Sequence, residues 1–172
     1  MNHLWRCGAV ALMINLCGAG AVLAEDGEPD LLGEFGDWSA HTYNAPDTRV
    51  CFVSSQPKSS EPKNVKRGPA FLQITKMPKR GVKGMVSTLI GYPFKKGEKV
   101  TLTVNDIEIE MFSEGEHAWV GPAEDEKSAI AAMKNGVSLV VTGTSWRGTR
   151  TSDTYSLNGI SAALAKIDSV CK

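Results

Sequence analysis

From Val100 to Met111 the chain alternates apolar and polar residues with a period of two, interrupted once by Asn105-Asp106. Side chains of an extended strand point to opposite faces in turn, so the pattern predicts two half-buried strands and not a helix. A two-residue Asn-Asp turn sets Val104 opposite Ile107, Leu102 opposite Ile109 and Val100 opposite Met111. Thr101 and Thr103 then face Glu110 and Glu108 on the other side, which predicts a sheet covered by protein on one face only.

Further strands are expected at 34–40, 49–54, 70–76, 84–90, 117–120, 137–144 and 151–157, separated by Gly, Pro and Asn. Short strands at this spacing predict a sandwich or a closed sheet. Two helices interrupt the pattern. The first is expected at 123–135, with Glu124, Asp125 and Glu126 at its positive end and Gly136 just past its stop. The second begins near Ser161 and puts Leu164, Ile167 and Cys171 on one stripe.

The N-terminal segment 1–24 reads as an export signal. Arg6 is the only charged side chain before Glu25, and an apolar run ends in Val22-Leu23-Ala24, a small-residue cleavage pattern. Cleavage near Ala24 leaves 25–172 as one domain, periplasmic or secreted, with no apolar stretch of the ~20 residues needed to span a bilayer. Leu16 stands before Cys17, where lipoprotein signals carry a small residue, so lipidation is not expected. Cys7 and Cys17 leave with the signal. The two remaining thiols, Cys51 and Cys171, suit a single structural disulfide in an oxidising compartment, since no C-x-x-C spacing suggests a redox role. It pins the last helix to the strand holding Cys51.

Positive and negative charge are segregated along the chain. Segment 58–99 holds eleven Lys or Arg against two Glu, whereas 106–126 holds eight acids and no Lys or Arg. The basic charges either solvate loops and pair with the acids, or draw the protein to anionic envelope polymers or lipid head groups. Export removes nucleic acid as a partner. Within the basic segment, 54–69 repeats Ser-Ser-x-Pro-Lys and ends in Lys66-Arg67-Gly68-Pro69. Proline at that density predicts a mobile basic loop without regular structure.

Catalytic signatures are weak. Ser55-Gln56-Pro57-Lys58 and Ser60-Glu61-Pro62-Lys63 match S-x-x-K, but that chemistry needs a helical turn that these prolines oppose. Gly143-Thr144-Ser145-Trp146-Arg147 departs from a nucleophile elbow at its last position, where Arg replaces Gly. His41 and His117 stand far apart in the sequence, outside any zinc-binding spacing. No catalytic residue, metal or cofactor is expected.

The richest polar stretch is 142–156. It reads as two Thr-rich strands joined around Arg147-Gly148, Thr being suited to half-exposed pleated surface. It also offers a contact surface in which Trp146 and Tyr155 supply apolar area and Arg147 and Arg150 supply charge. Trp38 and Trp119, by contrast, are expected in the core.

Several blocks of this sequence, in order, resemble the invasion-associated locus B family. They are Gly36-Asp37-Trp38, Gly91-Tyr92-Pro93-Phe94-Lys95, Ala118-Trp119, Ala131-Ala132-Met133-Lys134, Gly143-Thr144-Ser145-x-Arg147-Gly148-Thr149 and Asp153-Thr154-Tyr155-Ser156-Leu157-x-Gly159, followed by Ser161-Ala162-Ala163-Leu164 and Cys171. The resemblance implies an exported protein of Gram-negative bacteria with an immunoglobulin-like β-sandwich, and a family name linked to host-cell invasion. It carries over no catalytic residue. Some relatives have an extra Cys shortly after the early Trp, where this chain has His41-Thr42, so one disulfide is carried over. The expected function is therefore binding of a protein or an anionic envelope component. The alternative is an envelope hydrolase or transferase whose site is assembled only in space.

Overall fold

The structure, a computed structural model, describes residues 28–172. The expected export segment, with Cys7, Cys17 and the cleavage position, lies outside the described residues. The chain is mainly β. Eleven strands are described: β1 (Asp30–Phe35), β2 (Trp38–Asn44), β3 (Arg49–Ser55), β4 (Ser59–Glu61), β5 (Phe71–Met77), β6 (Val82–Leu89), β7 (Val100–Val104), β8 (Ile107–Glu114), β9 (His117–Val120), β10 (Ser138–Thr144) and β11 (Arg150–Ser156). Helix α1 (Ala123–Asn135) separates β9 from β10, and α2 (Ile160–Val170) ends the fold.

All eleven strands join one antiparallel sheet in the order β1-β2-β3-β5-β6-β9-β8-β7-β10-β11-β4. The sheet is folded over on itself. Trp38, near one edge, donates from Nε1 to the carbonyl of Ser156, eight places along the strand order, at 2.9 Å. The Asp37 N–H likewise reaches the Asn158 carbonyl at 3.0 Å. Two facing layers thus arise from a continuous ladder, and their inner faces form a single core running from Trp38, Val53 and Ile74 to Leu102, Val141 and Tyr155.

The hairpin of β7 and β8 has the register expected from its alternation: Val104 opposite Ile107, Leu102 opposite Ile109 and Val100 opposite Met111. Its turn residue Asn105 has a positive φ of 52°, a conformation that Asn tolerates. Ile107, at the turn, is exposed, so the apolar face is closed only from Ile109 onward. The expected strand 34–40 is instead the centre of a hairpin. Gly36 adopts φ 59° and, with Asp37, forms a two-residue connection that pairs Phe35 with Trp38.

Helix α1 packs on β6, β7 and β8 through Ala129, Ala132 and Met133. Helix α2 lies across β1, β2 and β3 and buries Ile160, Ala163, Leu164 and Ile167. Its far end is held by the Cys51–Cys171 disulfide, which joins β3 to the residue after α2 across 120 positions, with Cα atoms 6.1 Å apart. On the chain-entropy account, closing a loop of that length stabilises the fold by about 4 to 5 kcal/mol.

Segment 54–69 differs from its expected irregularity. Ser54 and Ser55 complete β3 and are buried, and 59–61 pairs with β11 as the last strand of the sheet. The remainder is a strap fixed at several points: the Lys58 N–H donates to the Thr154 carbonyl at 2.7 Å and the Gly68 N–H to the Gly91 carbonyl at 2.8 Å. Proline excludes a helix here, but an edge strand accepts the extended backbone it favours.

Candidate binding surface

The Thr-rich stretch 142–156 is the hairpin of β10 and β11, and its connection, 145–149, is tightly built. The Ser145 N–H donates to the Thr149 carbonyl at 2.8 Å, the Gly148 N–H to the Ser145 carbonyl at 2.7 Å, and the Thr149 N–H to Ser145 Oγ at 3.2 Å. Gly148 has φ 87°, which its missing Cβ permits. A second segment braces the turn from outside. The Trp146 N–H donates to the Pro93 carbonyl at 2.9 Å, the Lys95 N–H donates to the Thr144 carbonyl at 2.8 Å, and Phe94 bridges to Ser145.

Trp146 stands on this braced turn with 62% of its surface exposed. The Arg147 guanidinium lies over the indole, 5.6 Å from the ring centroid, and donates to the Lys66 carbonyl of the strap at 3.0 Å. Arg150, at the start of β11, is exposed as well. Three of the four expected contact residues therefore share one surface.

Tyr155 is the exception and needs correction: it is fully buried. Along β11 the inward positions are Thr151, Asp153 and Tyr155, and the outward ones Arg150, Ser152 and Thr154, so Tyr155 belongs to the core by strand parity. It sits in a polar cluster that the sequence did not reveal. Asp153, also fully buried, accepts from both terminal nitrogens of Arg67, at 2.7 Å for Nη1 to Oδ2. Arg67 completes its bonding to the Ile90 carbonyl at 3.2 Å and Ser60 Oγ at 2.7 Å. Tyr92 and Thr151 share a hydroxyl hydrogen bond of 2.6 Å beside this pair.

The cluster's electrostatics are those of a clamp. The hydrogen-bonded Asp153 carboxylate raises the pKa of Arg67 despite its burial. Burial raises the hydroxyls of Tyr92 and Tyr155, and for Tyr155 the nearby Asp153 charge adds to the effect. The Tyr155 hydroxyl has no hydrogen-bond partner among the described residues. Both carboxylate oxygens of Asp153 are occupied by a permanently charged guanidinium.

Other expectations meet mixed outcomes. Trp38 is core, but Trp119 is only half-buried and stacks on the outer face between Phe112 and His117, at 5.3 and 5.7 Å between centroids. His41 stacks on Phe52 at 4.9 Å, and its Nε2 lies 2.9 Å from Ser39 Oγ. Partial burial lowers the pKa of this imidazole. Ser39 also borders a cleft of about 430 Å³ shared with Ser54, Gln56 and Lys58. The basic and acidic segments scarcely pair with each other: among the described residues Lys99–Glu110 is the ion pair that links them. Lys58, Arg67, Lys76 and Arg80 instead pair with Asp37, Asp153, Asp168 and Asp47. The described residues hold no group of three or more His, Cys, Asp or Glu placed to bind a metal.

The sequence blocks singled out above meet in space. Gly91–Lys95 packs on Gly143–Thr149 through the bonds just described, and the Gly36–Trp38 turn closes on Asn158 and Gly159. The model of the invasion associated locus B (IalB) protein family matches residues 38–168. The chain belongs to the IalB family. Its fold is similar to the crystal structure of invasion associated protein b from Bartonella henselae, with a TM-score of 0.58 at 18% identity, covering 84% of this chain and 97% of that one. No curated protein matches by sequence. Within the family framework, the blocks around Tyr92, Ser145 and Asp153 act as joints between strands, which accounts for their residue types without assigning them chemistry.

Proposed function

We propose that this IalB-family chain is an exported, non-enzymatic protein of the bacterial envelope that docks on a protein or an anionic envelope component through its Trp146–Arg147–Arg150 end. Family membership and the disulfide point to the envelope or a secreted location. No helix among the described residues is long and apolar enough to cross a membrane. The name of the Bartonella relative links that protein to invasion, and we extend the association to this chain as part of the proposal.

The observation that carries the reading is the exposed indole of Trp146 on a turn braced by five hydrogen bonds, with a guanidinium over its face. A soluble domain gains no folding energy from an aromatic left in water, whereas binding gains from one held in place, because little conformational entropy is lost on contact. A photo-crosslinking amino acid at position 146 in intact cells should yield a discrete adduct, and the same group at exposed Val137 should not. Equal labelling from both positions would remove the docking reading.

The Ser39–His41 contact favours a second reading, an envelope hydrolase with Ser39 as nucleophile and His41 as base. Its test is labelling by a serine-directed fluorophosphonate. Labelling lost in Ser39→Ala would support hydrolysis, and no labelling of the folded protein would refute it.

A further inference from the structure

We propose that the target of the Trp146 end is an anionic lipid surface. This inference rests on the docking reading above and names its partner. The strap runs antiparallel to β11 toward the turn: Glu61 lies opposite Ser152, and the Lys66 carbonyl accepts from Arg147. Lys66 is thereby held alongside Arg147. On the other side, the pairing of Phe94 and Lys95 with Ser145 and Thr144 brings Lys95 and Lys96 to the same end. The acids that border this end are Glu61, Glu98, which pairs with Lys95 at 3.2 Å, and Glu114 and Glu116 at the β8–β9 turn, whose Gly115 carbonyl accepts from the Phe94 N–H. Positive charge stays in excess around the indole.

The shape selects the partner class. The turn is convex: a Cβ placed on Gly148 would meet nothing within 4 Å. A protein hot spot gathers several aromatics at a sheltered centre, whereas here one indole projects among cations. An indole with an apolar body and a polar edge, ringed by Arg and Lys, matches the headgroup layer of an anionic membrane. The charges supply attraction and the ring supplies shallow insertion, at low ordering cost because the backbone is already fixed.

The test uses residues 25–172 with the disulfide formed, and vesicles of phosphatidylcholine with or without phosphatidylglycerol, read by co-sedimentation and by tryptophan fluorescence. Trp38 is buried and Trp119 half-buried, so a blue shift on binding reports Trp146. Binding is expected only with phosphatidylglycerol present, and it should weaken as salt rises. Replacing Arg147 and Arg150 together by Ala should lower affinity roughly 25-fold, about fivefold per cation, and Trp146→Ala should abolish the blue shift. Lys79→Glu with Lys83→Glu, around the β5–β6 turn at the far end of those strands, should change binding by less than about twofold. Two results would overturn the lipid proposal: no binding to anionic vesicles at low salt, or binding lost in the Lys79 and Lys83 variant and kept without Arg147 and Arg150. If vesicles fail while position 146 still crosslinks a discrete species in cells, the lipid target falls and the docking reading stands. If both fail, both fall.

Discussion

Removing Arg67 should unfold the protein more effectively than removing any exposed charge. Arg67→Ala deletes both donors to Asp153 and the bonds to Ile90 and Ser60, leaving a carboxylate with no exposed surface and no counter-charge. Asp153 lies mid-strand in β11 and cannot swing into water. Breaking a buried pair this way costs about 3 to 5 kcal/mol. For a chain of this length that lowers the melting temperature by roughly 10 to 15 °C. Removing both charges should hurt far less, because apolar replacement of a whole buried pair is often close to neutral. Arg67→Met with Asp153→Leu should therefore melt closer to the wild type than Arg67→Ala does. Circular dichroism melts and urea titrations with the disulfide intact measure all three proteins. An Arg67→Ala melt within about 3 °C of wild type, or a double variant less stable than the single one, would refute the clamp.

Three other perturbations test the frame around this clamp. Cys171→Ser should cost about 4 kcal/mol in non-reducing urea unfolding, and a smaller change under reductant; equal loss in both conditions would deny the disulfide its role. Gly159→Ala places a Cβ on a residue with φ 92°, against the Phe35 carbonyl, and should destabilise by about 2 kcal/mol or more, whereas Gly97→Ala, strained but in open space, should cost less. Tyr92 and Tyr155 have folded pKa values above their unfolded ones, so the stability they contribute is complete below about pH 10 and is lost as pH rises through the folded values. Alkaline difference spectra should show these two phenols ionising together with unfolding; ionisation in the still-folded protein would contradict their burial.

Most of the β architecture was legible because alternation reports which side of a strand is buried. The Val100–Met111 hairpin gave its register directly, and the acids at the start of α1 marked where that helix begins. What escaped the sequence reading lay where composition and parity disagree. Tyr155 sits among Thr and Ser and looks like surface, yet it shares parity with Leu157, and that apolar partner was the available signal. Gly36-Asp37 inside the expected strand 34–40 has the form of a two-residue turn. Nothing local to Arg67 foretold its partner, since Asp153 is 86 positions away and a basic, proline-rich segment reads as solvated whether or not one of its side chains is buried. The two-layered fold was expected, but its construction from one continuous ladder depends on contacts such as Trp38 to Ser156 that no window of sequence contains.

The claim that binding is done at the Trp146 end is most directly tested by where the protein resides in cells. Wild type and Trp146→Ala/Arg147→Ala, matched in expression and melting temperature, would be partitioned between envelope and soluble fractions at physiological salt. The wild type should stay with the envelope and the variant should move to the soluble fraction. An identical distribution of the two proteins would contradict the claim.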